Sequence, residues 1–278
     1  MIRRFESEDD AGAGEGPAAS LVPAPQLTTA DYETGLARLH IELAKLQHWV
    51  VETGAKICVL FEGRPGAGKR DIIKAITEHA TRVFQVVALP EPSAREKSQM
   101  CLQRYIPHLP AAGEVVIFDG TWYGRAGIER ALGQCTAEEA SKVLATVPLV
   151  ERAIVDSGVR LLKYWLEVTQ VELARRLRQR IADPRVSCTD HDLSSFRRWF
   201  EFSRAKDALL AATDTDYAPW FVARGDDARR ARLNVISHLL SAVPYEGAPR
   251  TRPRLPASPE PGGYCEPQYA YRYVEERY

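Results

Sequence analysis

Long apolar runs are missing from this chain. No stretch of its 278 residues approaches the length needed to span a bilayer. Its start, Met1-Ile2-Arg3-Arg4-Phe5, leads into acidic and glycine residues instead of the apolar core of a secretory signal. No membrane partner is therefore expected. Excess charge is missing too: 37 Lys and Arg stand against 37 Asp and Glu. Bulk charge gives no reason to expect nucleic acid, so any anion site must be built by local clustering. Paired cysteines are also lacking. The five present (Cys58, Cys101, Cys135, Cys188, Cys265) are scattered and odd in number. That pattern suggests a reducing compartment, with the cytoplasm as default, and no zinc site. Neither a Ser-His-Asp set nor a Cys-His pair nor a histidine cluster stands out.

What is present is organised around Gly63-Arg64-Pro65-Gly66-Ala67-Gly68-Lys69. The apolar, partly β-branched run Lys56–Phe61 before it reads as a buried strand. Asp71–Ile76 after it has apolar residues at helical spacing. A glycine-rich loop joining strand to helix suits phosphate. Its backbone N–H groups can close on phosphate oxygens, the helix N-terminus adds partial positive charge, and the lysine adds a full one. The spacing is that of a P-loop, except that Arg70 occupies the place of the usual magnesium-binding Ser or Thr. A bare packing turn is the alternative, and the flanking strand and helix speak against it.

The organisation of the rest follows from periodicity. Residues 1–27 are rich in Gly, Ala, Pro, Asp and Glu and read as a disordered leader. Tyr32, Leu36, Leu39, Leu43, Leu46 and Val50 trace an amphipathic helix that Thr29 can cap and Gly54 can end. Such a stripe packs against the domain, against a second copy, or forms a coiled-coil seam. Strands are expected at 83–89, 114–119, 160–168 and 219–223. Helices are expected from Ser93 to about Leu109, at about 125–133 and 137–156, at 170–182, at 193–212 and at 227–243. Strands alternating with helices imply an α/β fold, a five-stranded parallel sheet with helices on both faces. Ligands then sit beyond the carboxyl ends of the strands. Residues 28–245 form one domain, and 246–278 a proline-rich, then aromatic and charged tail.

Asp119 ends the apolar strand Val115–Phe118, where a carboxylate can hold magnesium beside a P-loop; capping the next helix is its bland alternative. Arg125 and Arg130 follow near the mouth of the sheet and could reach phosphate oxygens, or simply line a solvated helix face. Arg175-Arg176-Leu177-Arg178-Gln179-Arg180 is the densest basic cluster. Arg176 and Arg180 share a face on a helix laid out like a phosphate-closing lid, although an isolated cluster of this kind is usually solvated surface. Trp199 and Phe200 read as core rather than as a base-stacking platform.

These residues resemble the family-2 polyphosphate kinases. The likeness runs from about 35 to 245. It rests on Phe61-Glu62-Gly63-Arg64 with Ala67-Gly68-Lys69, Ile72 with Lys74, Gln103-Arg104-Tyr105, Phe118-Asp119 with Trp122-Tyr123, Arg125-Ala126-Gly127, Arg180 with Asp183-Pro184, Ala218-Pro219-Trp220 and Ala231-Arg232-Leu233-Asn234. The resemblance implies a P-loop kinase-like three-layer sandwich with a helical lid at about 176–205. It also implies Mg2+-dependent phosphoryl transfer between inorganic polyphosphate and an adenine or guanine nucleotide, in a dimer or tetramer. It assigns catalysis to Lys69, Asp119, Arg125 and Arg180, and metal to Asp119. It assigns phosphate or nucleotide binding to Gly63, Arg64, Gly66, Ala67, Gly68, Lys69, Lys74, Arg130 and Arg176. Three positions depart from the family pattern. Pro65 replaces an aspartate, Gly120 replaces the arginine after the strand-end acid, and the lid is reduced to Arg185-Val186-Ser187-Cys188-Thr189. These departures raise the alternative of a catalytically impaired homologue that binds polyphosphate or nucleotide, or partners an active paralogue. An ATP-dependent small-molecule kinase is a third reading.

Overall fold

The computed structural model describes residues 27–79, 83–185, 190–245, 255–260, 262–265, 268 and 270–276. The expected leader, apart from Leu27, and the lid residues 186–189 lie outside them. In chain order the elements are α1 (Thr29–Thr53), β1 (Lys56–Gly63), α2 (Lys69–Thr77), β2 (Phe84–Val87), α3 (Ala94–Lys97), β3 (Glu114–Asp119), α4 (Arg130–Leu132), α5 (Ala137–Asp156), β4 (Val159–Glu167), α6 (Gln170–Ala182), α7 (Asp190–Arg197), α8 (Trp199–Thr213), β5 (Trp220–Arg224) and α9 (Ala228–Ser241). Residues up to Ala248 make one compact unit and those from Pro249 onward a second.

The five strands form one sheet in the order β2-β3-β1-β4-β5, with every pairing parallel. Side chains of a strand point to opposite faces in turn, and β1 divides its residues accordingly. Ile57, Val59 and Phe61 face a core shared with α1, α2 and α9. Cys58 and Leu60 face a second core shared with α5 and α8. This is the three-layer α/β sandwich that the alternating pattern predicts. Each of these central side chains is essentially inaccessible, so truncating one, Leu60→Ala for instance, costs about 2–5 kcal/mol.

Several local expectations are corrected. Thr28, not Thr29, caps α1, accepting from the Asp31 N–H, while Gly54 closes the helix at φ 67°. The helix expected from Ser93 to about Leu109 stops at Lys97. Ser93 and Glu96 form a reciprocal cap at its start. Beyond it the chain runs through turns to a 3-10 turn at Ile106–His108, where Pro107 sits in the first turn, a place that needs no N–H. The segment at 125–133 opens as a wide π turn, Arg125–Glu129, before α4. The helix expected at 193–212 is broken at Arg198, whose ψ is 39°. The break brings the Trp199 ring over the Arg64 guanidinium, 3.8 Å from it. Phe200, expected in the core, is 65% exposed.

Candidate phosphate-binding site

β1 ends at Gly63, whose φ of 141° suits glycine; a Cβ there would lie 2.5 Å from the Leu166 carbonyl oxygen on β4. The chain therefore hugs its neighbour and turns upward. Gly66, at φ 85°, is packed against Leu173 of α6 so closely that a Cβ would sit 2.8 Å from Leu173 Cδ1. The Ala67 N–H closes the turn on the Arg64 carbonyl at 3.1 Å. α2 then starts at Lys69, and its first N–H groups have no carbonyl within the helix to bond.

Arg176 holds this loop from behind. Its guanidinium donates to the carbonyls of Gly66 (3.3 Å) and Ala67 (2.9 Å) and to that of Gly225 after β5, and it pairs with Glu172 at 2.6 Å. A rigid planar fork suits such a task. The Gly66 and Ala67 carbonyls are thereby engaged on the α6 side.

The Lys69 amine folds back over the loop and donates to the Gly63 carbonyl at 2.7 Å. Burial pulls its pKa below the ordinary lysine value, against the attraction of Glu62 and then Asp119. Those two carboxylates flank it. Glu62, 4% exposed, accepts from the Thr121 N–H at 3.1 Å and the Thr121 hydroxyl at 2.6 Å. Burial raises its pKa, partly offset by Lys69 and these hydrogen bonds. Asp119, paired with Phe61 in the sheet register, is largely covered. Among the described residues its ion-pair partner is the exposed Arg70, at 3.2 Å. Arg70 thus reaches across from the position of the usual Ser or Thr onto the strand-end acid.

The structure therefore brings Gly63, Gly66, Ala67, Gly68, Lys69, Asp119 and Arg176 together, and adds Glu62, Arg70 and Thr121. Sequence reasoning gave Glu62 no role, although a carboxylate ending an otherwise apolar strand was the available signal. The other arginines lie elsewhere. Arg64 is 1% exposed, turned away under α8, where it donates to the Trp199 carbonyl and the Ser203 hydroxyl. Arg180 ties α6 to α7 through Asp192 at 2.8 Å. Arg125 lies in a small cleft with Arg104, Tyr105, Thr121 and Glu129, donating to the Lys97 carbonyl at 3.1 Å. That cleft adjoins Thr121, the residue that holds Glu62. Among the described residues Arg130 donates to the nearby Cys135 carbonyl, and Lys74 is exposed on the second turn of α2. Arg229 and Arg232 are occupied tying α9 to α1 through Thr29 and Tyr32.

A parallel sheet with a glycine cradle, a lysine and a strand-end acid at its carboxyl edge defines a P-loop phosphate-binding protein. Comparison with known proteins narrows the class. The family model Polyphosphate kinase 2 (PPK2) matches residues 26–251, and the chain belongs to that family. ADP-polyphosphate phosphotransferase 3 of Rhizobium meliloti is 50% identical over 219 residues, covering 78% of this chain and 77% of the relative. GDP-polyphosphate phosphotransferase of Mycobacterium tuberculosis is 43% identical over 246 residues, covering 87% and 83%. The crystal structure of Polyphosphate Kinase 2 from Arthrobacter aurescens TC1 superposes with a TM-score of 0.75 at 25% identity, covering 88% of this chain and 91% of that one.

Proposed function

We propose that this chain moves a terminal phosphoryl group between inorganic polyphosphate and a nucleoside di- or monophosphate. One observation carries the reading. An ammonium has three donors, and among the described residues Lys69 makes one hydrogen bond, to Gly63, with the Glu62 and Asp119 carboxylates attracting it and the glycine loop beside it. Two donors are left for phosphate oxygens. The names of the relatives, acting on polyphosphate with ADP or GDP, supply the substrate class.

The acceptor's terminal phosphate oxygen attacks the last phosphorus of polyphosphate, and the bridging P–O bond breaks. The shortened polyphosphate leaves with that bridging oxygen. The loop amides and Lys69 hold the equatorial oxygens, Arg180 of α6 meets the developing charge by exchanging Asp192 for phosphate, and Arg125 meets it from the cleft beside Thr121. Arg176 serves by shaping the loop, with Gly63, Gly66, Ala67 and Gly68 giving it room, and Arg64 by fixing α8 beneath it. Lys74 and Arg130 extend the positive rim.

The residues fit Mg2+. This ion needs only one or two carboxylates beside phosphate oxygens and water, and Asp119 offers one whose ion-pair partner, Arg70, is 89% exposed and displaceable. When bound, Mg2+ neutralises charge shared between neighbouring phosphates. The cytoplasm and a homo-oligomer complete the proposal. Among the described residues no helix is long and apolar enough to cross a membrane.

The test is turnover of polyphosphate with ADP, AMP or GDP and Mg2+ by the native chain and by Lys69→Ala. Nucleotide phosphorylation that vanishes in the variant is expected. No turnover, or an indifferent variant, would overturn the proposal. The same assay reads the impaired-homologue alternative: ordinary kinase rates discard it, and activity gained only in Pro65→Asp carries it. Gly120→Arg is a poorer rescue, because Gly120 sits at φ 82°, where an L side chain adds backbone strain.

A further inference from the structure

On the face of the sheet that holds α1 and α2, away from the phosphate cradle, His40 of α1 meets Glu78 and His79 at the far end of α2. One ligand atom from each lies within 4.8 Å of the others. The two imidazoles meet edge to face, their centroids 4.5 Å apart. His40 Nε2 is hydrogen-bonded to the Ala75 carbonyl at 2.8 Å. A carbonyl only accepts, so Nε2 carries the proton and Nδ1 keeps its lone pair. A ligating histidine is commonly fixed in this way, with its other nitrogen anchored to backbone. The position favours a cation for a second reason. Glu78 is the C-cap of α2, and the carbonyl end of a helix carries partial negative charge.

We propose that His40, Glu78 and His79 bind a divalent transition ion of the zinc class, tying α1 to the C-terminal end of α2. Two imidazoles and one carboxylate suit Zn2+ or Co2+, with water completing a tetrahedron. The donor set is unsuited to Mg2+, which takes oxygen ligands in an octahedron, so this site and the phosphate cradle do not compete for one ion. Sequence reading found no histidine cluster because His40 lies on α1 and His79 just beyond the end of α2.

The test is titration of the full chain with Zn2+ by calorimetry, and with Co2+ by visible absorption, both in excess Mg2+. The native protein is compared with Glu78→Gln and His79→Ala. Both substituted side chains are exposed, so these variants keep the fold. His40→Ala, which also loses the bond to Ala75, is secondary. One ion per chain, a tetrahedral Co2+ spectrum and at least a tenfold loss of affinity in both variants are expected, with a Zn2+-dependent rise in Tm confined to the native chain. Unchanged affinity in the variants would place the ion elsewhere, such as on the exposed Cys265, and overturn the proposal. So would absence of binding by the native chain. Neither result bears on phosphoryl transfer, which Lys69→Ala tests separately.

Discussion

Two lysine–glutamate pairs lie along this sheet, one between β4 and α5 and one at the carboxyl end of β1, and they are built in opposite ways. Lys163 and Glu151 are both 0% exposed and meet at 2.8 Å. Lys163 fills its remaining donors with the Tyr123 hydroxyl and the Thr213 carbonyl. Glu151 also accepts from Trp122 and Tyr123. Every charge there is answered. Lys69 and Glu62 attract one another too, but each is hydrogen-bonded elsewhere. Glu62 is bound to Thr121 and Lys69 to the Gly63 carbonyl, and the lysine is only half-buried. A saturated pair holds helix to strand; an unsaturated one waits for an anion. The number of donors left over, more than burial or charge, separates the lysine proposed to bind phosphate from the structural one.

The contrast can be broken most sharply at Lys69. Replacing it with Met should cut phosphoryl transfer by about 10²–10³-fold, the usual loss for one donor to a developing charge, and leave the denaturation midpoint nearly unmoved. A large fall in midpoint with it would make Lys69 a second Lys163. Lys163→Met should do the reverse. It leaves Glu151 buried without its cation, which costs about 3–5 kcal/mol in urea unfolding, and adding Glu151→Gln should recover part of that. Equal stability of the single and double variants would refute the pairing argument.

Two smaller effects sharpen the picture at the acids. Arg70→Ala should free Asp119 and lower the Mg2+ concentration for half-maximal rate by no more than about fivefold. The reason is that an exposed pair is worth about 0.2–1 kcal/mol. A rise in the Mg2+ requirement would mean that Arg70 assists the metal. Glu62 offers a pH test. Its folded pKa lies above the ordinary 4.5, so the folded state holds its proton longer than the unfolded chain does. That contribution to stability is complete below 4.5 and is lost as pH rises through the folded pKa. Glu62→Gln should flatten this slope in urea titrations at several pH values, and an unchanged slope would assign it to other groups.

Much of this arrangement was legible in the chain. The run Lys56–Phe61, the glycines at 63, 66 and 68, and Asp119 after four apolar residues announce strand, cradle and acid through local periodicity alone, and parallel-sheet topology then puts them side by side. What stayed hidden depends on remote partners. Arg64 reads as a phosphate ligand until Trp199 and Ser203, well over a hundred residues later, are seen to enclose it. Arg176 reads as lid charge until Gly66 and Gly225 are found at its tips. The break at Arg198 follows from that same packing, which no helical propensity foretells. Glu62 was visible as a residue but not as the partner of Thr121, 59 positions later in the chain, which holds it.

The Arg176 fork has a thermodynamic consequence. By stitching the turn after β1 to the turn after β5, it completes the receptacle while the chain folds, before any ligand arrives. The ordering entropy of the loop is thus charged to folding rather than to each encounter. An anion proposed to dock there would meet a surface already in shape, with its selectivity left to the rim rather than to the floor.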